Sequence, residues 1–169
     1  MMQRPLALHS PDTRWRIRPV RLTDIDALQR YCWPERSYSA LYNLASRALG
    51  LAKEGNGLGI VVLDSANSVR AYGQLTAWPN CAEITDLIVS EPLRNRGIGT
   101  TMIQYLLRAA REMQATCVEI GANAENTRAL ALYRRLGFSD SHVVQVRERG
   151  SPQQLVYLRL ELTGSPYDQ

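Results

Sequence analysis

The chain has 169 residues, of which 45% are hydrophobic and 21% charged, a composition typical of one globular domain and not of a disordered chain. The 20 basic and 16 acidic residues are spread along it, and no apolar run is long enough for a membrane helix, so neither a nucleic-acid partner nor a membrane is expected. The three cysteines lie far apart, which argues against a structural zinc site or a disulfide framework and favours a cytoplasmic location.

Apolar residues in the N-terminal half of the chain predict a strand and two helices. The strand covers residues 14–20, and Thr23 is predicted to be the N-cap of the helix that follows. A second helix covers residues 38–53. The glycine-rich run at 55–59 resembles a phosphate loop, but a helix precedes it and a strand follows it, the reverse of the order in a dinucleotide fingerprint. We interpret this run as the end of the helix and a turn.

Strands dominate the rest of the chain, with two amphipathic helices between them. Short lead and tail segments, residues 1–13 and 163–169, flank the predicted elements. Alternating strand and helix patterns of this kind predict a mixed α/β domain with antiparallel hairpins at both ends. The predicted strands are 60–63, 69–78, 82–89, 117–120, 141–147 and 154–162, and the helices are 98–113 and 126–136.

The segment between the strand 82–89 and the helix 98–113 carries the strongest chemical signal. It contains Arg94-Asn95-Arg96-Gly97-Ile98-Gly99, so two arginines and two glycines stand where the helix begins. A helix N-terminus exposes unpaired N–H groups and partial positive charge, and glycines let a phosphate approach those groups. This segment therefore predicts a phosphate-binding site.

Two motifs resemble those of the GNAT superfamily of N-acetyltransferases. The run from Arg94 to Gly99 is similar to its acyl-CoA signature, and residues 126–138, NTRALALYRRLGF, are similar to its second motif. The resemblance implies an α/β fold with a GNAT-like mixed, mostly antiparallel sheet, a central splayed parallel strand pair and flanking helices. It implies that residues 14–162 form an acyl-CoA-dependent N-acyltransferase domain, with acetyl as the acyl group.

The same resemblance implies acetyl-CoA as the co-substrate and no metal. An amine acceptor would attack the thioester directly. A bulge in the strand 82–89 would offer backbone groups to the pantetheine arm and the thioester, and the loop and helix start would hold the diphosphate. The implied cofactor-binding residues are Leu87, Ile88 and Val89 in the strand, Arg94, Asn95, Arg96, Gly97, Ile98, Gly99 and Thr100 in the loop and helix start, and Asn126.

Candidate catalytic residues also follow from the resemblance. Tyr133 has the spacing of a core tyrosine, but in the family this hydroxyl faces the sulfur, where it would donate a proton or a hydrogen bond to the departing thiolate. Glu83 is the first candidate for the general base, Glu119 on the neighbouring strand is the second and Asp86 is the third. The alternative for each carboxylate is a solvated position on a strand face.

Two other functions stay open on the sequence alone. A non-catalytic acyl-CoA-binding module would keep the run from Arg94 to Gly99 but would need no base, and a basic nucleic-acid-binding module would use the positive charge without a recognised motif. Pairing through terminal strands, common among relatives, makes a homodimer possible.

The acceptor amine is not identified by the sequence. Aromatic residues near the first helices and before the strand 82–89 would either line its pocket or belong to the core, and they are Tyr31, Trp33, Tyr38, Tyr42 and Trp78. Arg147 and Arg149, beside the last predicted turn, favour an acidic acceptor.

Overall fold

The structure is a computed structural model that describes residues 15–162, so the lead at 1–13 and the tail at 163–169 lie outside the described residues. The strands are β1 (Arg16–Pro19), β2 (Gly57–Leu63), β3 (Val69–Ala77), β4 (Ala82–Val89), β5 (Cys117–Asn123), β6 (Ser139–Glu148) and β7 (Ser151–Glu161). The helices are α1 (Ile25–Tyr31), α2 (Tyr38–Glu54), α3 (Ile98–Glu112) and α4 (Thr127–Arg135), and short 3-10 turns cover Leu22–Asp24 and Glu91–Leu93.

The strands form one sheet in the order β1-β2-β3-β4-β5-β7-β6. β4 and β5 are parallel, with Ala82 opposite Val118 and Ile84 opposite Ile120. β1 pairs with β2, β5 with β7 and β7 with β6 in antiparallel fashion. A parallel pair needs a crossover, and α3 supplies it between β4 and β5. The predicted mixed, mostly antiparallel sheet with a central parallel pair and flanking helices is confirmed.

The chain divides into two compact units. Among the described residues, the first holds 15–74 together with Asp86–Met102, and the second holds Leu75–Thr85 and 103–162. β3, β4 and α3 each contribute residues to both units. One acyltransferase domain over 14–162 stays a prediction.

In the first unit, α2 packs on β2 and on α1. Leu41, Ala45 and Ala48 form its buried face. The Ser37 hydroxyl caps the helix by accepting the N–H of Ala40, and Gly55 ends the helix with a left-handed φ of 73°. The glycine-rich run is thus a helix end, as predicted, although β2 begins within it.

The first turn of α1 differs from the prediction. Thr23 is not the N-cap: it lies in the 3-10 turn, and the helix begins only after Asp24. The buried Asp24 carboxylate accepts the Arg21 N–H at 2.8 Å and pairs with Arg18 at 2.8 Å. A carboxylate is favoured at position 24 because it accepts a backbone N–H and also pairs with the partly buried Arg18 guanidinium. A threonine hydroxyl has no charge and would leave this guanidinium unpaired.

In the second unit, β6 and β7 form a long hairpin. Arg149 and Gly150 connect them, with φ values of 49° and 81°, as in the mirror-image turns that match strand twist. Nearly all of β6 is exposed. The amphipathic pattern predicted for α3 agrees with the burial of Ile103, Leu106, Leu107 and Ala110 in this unit.

A disulfide joins Cys81 to Cys117, contrary to the prediction from the cysteine spacing. The two cysteines are 36 positions apart, but they directly precede the opposed residues Ala82 and Val118 of the parallel pair, so their Cα atoms are 4.9 Å apart. Spacing along the chain cannot reveal this proximity, because the α3 crossover creates it. Between residues 15 and 162, no helix is long and apolar enough to span a bilayer.

Candidate functional site

β4 departs from regular strand geometry at Asp86, whose φ is 53°. A residue with a Cβ pays about 1–2 kcal/mol for this left-handed conformation. Such an irregularity is typical of a β-bulge, which the family resemblance implied for this strand. Leu87, Ile88 and Val89 follow it and are half-buried, so backbone groups next to the irregularity lie near the protein surface.

Side chains of the first unit surround Asp86. Its carboxylate lies 4.0 Å from Arg36 Nη1, and the Arg36 guanidinium lies over the Trp33 ring, 4.7 Å from the centroid. Burial, together with the Asp86 charge, raises the pKa of Tyr72. Asp86 therefore lies beside the connection between α1 and α2, and it stays the third candidate for the base.

The loop before α3 presents its backbone to solvent. Asn95 and Gly97 both have left-handed φ values, 65° and 80°, and the run from Arg94 to Gly97 is exposed. Alternation of this kind forms an anion-binding concavity of N–H groups. A Cβ placed on Gly97 would meet nothing within 4 Å, so the space above this backbone is open.

Two contacts fix the cationic end of the loop and the helix start. Arg94 Nε donates to the Val89 carbonyl at 3.1 Å, which holds this guanidinium at the end of β4. The Thr101 N–H donates to the Gly97 carbonyl at 3.1 Å, so the N–H groups of the residues between them point out of the first turn. Open N–H groups beside guanidinium groups fit a diphosphate, and this chain thus has donors suited to CoA.

Ser90, which the sequence analysis did not single out, lies between β4 and this loop. Its N–H donates to the Arg70 carbonyl at 2.8 Å, and the residue is 2% exposed. Within the described residues, its Oγ has no hydrogen-bond partner. An unsatisfied buried hydroxyl costs about 1–3 kcal/mol, so a ligand with a polar atom near the end of β4 fits this position.

The two leading candidates for the base lie side by side in the second unit. Glu83 and Glu119 are register partners in the parallel pair and share one face of the sheet, and both are half-buried. Trp78 Nε1 donates to Glu83 Oε2 at 3.1 Å. Arg159, opposite Glu119 on β7, reaches that carboxylate only at 3.9 Å.

Of the two candidates from the second motif, Asn126 is the N-cap of α4 and Tyr133 lies within α4, both in the second unit. The Asn126 side chain caps the helix by accepting the N–H of Ala129 at 3.2 Å. Tyr133 is buried, with its ring centroid 6.4 Å from that of Phe138. Burial raises the pKa of Tyr133 to about 12, so its hydroxyl is a donor at neutral pH.

The structure groups the predicted site residues into two sets. The cofactor-binding residues of β4, the loop and α3 lie together in the first unit, as does Asp86, whereas Asn126, Glu83, Glu119 and Tyr133 belong to the second. Within the second unit Glu83 and Glu119 are adjacent, but no hydrogen bond recorded for residues 15–162 joins either of them to Tyr133. In the same range, no group of three or more His, Cys, Asp or Glu side chains could hold a metal ion.

The aromatic candidates for the acceptor pocket divide between core and surface. Trp33 is buried, and Tyr31 is half-buried beneath the Arg70 guanidinium at 3.9 Å. The other three are exposed, namely Tyr38, Tyr42 and Trp78.

Comparisons with known proteins find N-acetyltransferases among the relatives of this chain. An N-alpha-acetyltransferase of Sulfurisphaera tokodaii is 26% identical over 146 residues, covering 78% of this chain and 84% of that protein. An uncharacterized N-acetyltransferase of Methanocaldococcus jannaschii is 38% identical over 64 residues, but this match spans only 38% of the chain and 28% of that protein.

A solved structure extends the similarity to most of the fold. The Salmonella typhimurium protein yncA, solved with its cofactor acetyl-CoA, superimposes with a TM-score of 0.74 at 15% identity, covering 93% of this chain and 99% of that one. The family model described as Acetyltransferase (GNAT) family matches residues 19–138, well over half of the sequence. The chain therefore belongs to the GNAT family of acetyltransferases.

Proposed function

We propose that this protein is an acyl-CoA-dependent N-acetyltransferase that transfers the acetyl group of acetyl-CoA to a primary amine by direct attack on the thioester. The observation that carries the proposal is the exposed loop from Arg94 to Gly97, with its open backbone and two guanidinium groups at the start of α3. The names of the archaeal relatives and the acetyl-CoA bound to yncA support it.

The residues of the first unit would bind the nucleotide end of the co-substrate. Arg94, Arg96 and the N–H groups from Gly97 to Thr100 would hold the diphosphate, because cationic forks and helix N-termini both favour phosphate. Backbone groups of Leu87, Ile88 and Val89 would hold the pantetheine arm and the thioester carbonyl. Asn126 would contact this arm through its amide nitrogen, since its oxygen caps α4.

Acetyl-CoA supplies the activated acetyl group, and this chain must handle the protons. The amine nitrogen forms a bond to the acetyl carbon as the carbon–sulfur bond breaks; one proton leaves the nitrogen and one reaches the sulfur. An α-amine with a pKa near 7.7–8.0 loses its proton at pH 7 at a cost of about 1 kcal/mol, whereas a lysine-type amine near 10.4 costs about 4–5 kcal/mol. A base is therefore most needed for the second class, and Glu83, with Glu119 as the alternative, would serve.

Tyr133 would stabilise the leaving thiolate by a hydrogen bond. Its pKa of about 12 lies well above the value of about 8.5 for a thiol, so full proton transfer would be uphill by roughly 5 kcal/mol. The hydroxyl would keep its proton and donate it in a hydrogen bond, and the sulfur would receive its proton from solvent or from the base.

A single assay separates this function from a non-catalytic acyl-CoA-binding module. The protein is incubated with acetyl-CoA and a panel of primary amines, and free thiol is measured with a thiol reagent. Amine-dependent thiol release is expected, with acetylated product seen by mass spectrometry. Thermal stabilisation by acetyl-CoA without thiol release for any amine would instead establish the binding module. A homodimer and a cytoplasmic location stay predictions.

A further inference from the structure

The ring of Tyr157, on β7, is held between the two neighbouring strands. Tyr157 is opposite Gly121 in β5, where an added Cβ would lie 2.9 Å from its Cε1 atom, so the ring covers the glycine closely. On the other side His142 of β6 is its register partner, and the two rings stack with centroids 4.9 Å apart and planes 3° apart. The ring position is therefore fixed by backbone on one side and imidazole on the other.

The same sheet face carries the two leading candidates for the base. Glu119 lies two residues before Gly121 on β5, and Glu83 is opposite Glu119 on β4, so all three positions share a face with Tyr157. Burial raises the pKa of Tyr157, and the charges of Glu83 and Glu119 raise it further. The phenol therefore lies within the electrostatic reach of both carboxylates and keeps its proton at neutral pH.

Arg159, the cation opposite Glu119, makes its shorter contact with another carboxylate. Arg159 Nε donates to Glu161 at 2.6 Å, against 3.9 Å from its Nη1 to Glu119. Trp78, which donates to Glu83, leaves 51% of its surface exposed. We call Glu83, Glu119 and Tyr157, with Trp78 beside them, the carboxylate face. Two carboxylates flanked by aromatic rings form a surface that attracts a cation.

We propose that Tyr157 orients the acceptor on the carboxylate face, and that the acceptor arrives there as a primary alkylammonium ion. An ammonium group has three N–H donors, and the Glu83 carboxylate, the Glu119 carboxylate and the Tyr157 hydroxyl oxygen provide three acceptors. With the ammonium bound, the Tyr157 O–H would donate to one of the carboxylates. The ammonium passes one proton to Glu83 and becomes the neutral nucleophile. This inference rests on the proposed function and adds a specificity-determining residue.

The first test is Tyr157→Phe, which keeps the ring on Gly121 and His142 and removes only the hydroxyl. With Nα-acetyllysine amide as the acceptor, we expect KM for the amine to rise about tenfold, because a hydrogen bond to a charged group is lost, while KM for acetyl-CoA stays the same. Tyr105→Phe, the same chemical change on α3, is the matched control and should change neither value. Equal behaviour of the two variants, or an equal rise in both KM values for Tyr157→Phe, would overturn the proposal.

The second test moves the ring without touching the hydroxyl. Gly121→Ala should raise KM for the amine like Tyr157→Phe, and the double variant should be no worse than Tyr157→Phe alone, because no hydroxyl remains to be displaced. Additive effects would contradict the assignment. If Gly121→Ala fails to fold, as judged by circular dichroism, the first test decides.

A binding measurement tests the role of Tyr157 separately from the proposed acetyltransferase activity. Calorimetric titration with butylammonium chloride should show binding to the wild-type protein and to Tyr105→Phe, and binding about tenfold weaker to Tyr157→Phe. Tetramethylammonium, which has no N–H donors, should not distinguish the variants. Failure of the proposed function would appear as no thiol release in the wild type with any amine; failure of this inference would appear as equal butylammonium binding by all three proteins.

Discussion

Glu83 and Glu119 are direct register partners in the parallel strand pair, and Trp78 Nε1 donates a hydrogen bond to Glu83. We expect Glu83→Gln to lower kcat/KM about 100-fold for a lysine-type amine at pH 7, because the base is lost. The loss should be much smaller for an α-amine, which sheds its proton at little cost. Glu54→Gln, on the last residue of α2, is the control. Equal losses for both amines would contradict the assignment of Glu83 as base.

The two arginines before α3 should govern affinity for acetyl-CoA. Arg94→Ala with Arg96→Ala removes two charge-assisted phosphate contacts, each worth about 1.5–3 kcal/mol, and should raise KM for acetyl-CoA at least 100-fold. The wild-type KM should also rise with ionic strength, because salt screens these contacts. The double variant Arg108→Ala, Arg111→Ala removes equal charge further along α3 and should leave this KM unchanged. An unaltered KM in the first double variant would refute the diphosphate assignment.

Tyr133→Phe separates catalysis from binding. We expect kcat to fall about 10- to 100-fold, because the departing thiolate loses its hydrogen bond, while KM for acetyl-CoA changes little. The ring itself stays packed against Phe138, so the melting temperature should be preserved. Steady-state kinetics with both substrates varied provide the test, and Tyr105→Phe again serves as the control. A variant with the turnover of the wild type would leave Tyr133 as a core residue only.

Local sequence patterns predicted the elements better than their ends. β4 covers the predicted residues 82–89, and turn residues flank it on both sides. β5 was predicted to end at Ile120 but continues through Gly121, Ala122 and Asn123. These residues have little preference for strands, and pairing with β7 over the whole of β5 overrides that weakness.

The candidate site was predictable only where a short motif carried it. The run from Arg94 to Gly99 and the α4 motif are both recognisable in the sequence. Tyr157 has no such signal, because its relation to Gly121 depends on the register between β5 and β7. The same reason hid the Cys81–Cys117 disulfide. Composition and periodicity describe residues close in the chain, so they cannot predict which residues of distant strands lie opposite each other.

Two glycines of the first unit should respond oppositely to alanine. At Gly59 an added Cβ would lie 2.7 Å from the Tyr72 hydroxyl oxygen, 2.8 Å from Ala48 Cβ and 3.0 Å from Val20 Cγ1. Gly59→Ala should therefore lower the free energy of unfolding by about 3 kcal/mol through overpacking. At Gly50, inside α2, nothing lies within 4 Å of the added atom, and Gly50→Ala should raise stability by about 0.5–1 kcal/mol. Urea denaturation of both variants tests the pair, and a Gly59→Ala protein as stable as the wild type would contradict the packing.

The cysteines should be distinguishable by thiol titration. Cys81 and Cys117 are paired, and burial raises the pKa of the Cys32 thiol to about 11 against the opposing charges of Arg70 and Arg94. We therefore expect Ellman's reagent to detect almost no reactive thiol in the native protein purified without reductant. It should detect one thiol after denaturation, and three thiols when the protein is reduced before denaturation. Reduction should also lower stability by about 4 kcal/mol, since the disulfide closes a loop with a sequence separation of 36 residues. Cys32→Ala is the control and should give none, none and two; three thiols in the unreduced, denatured wild type would show that Cys81 and Cys117 are not joined.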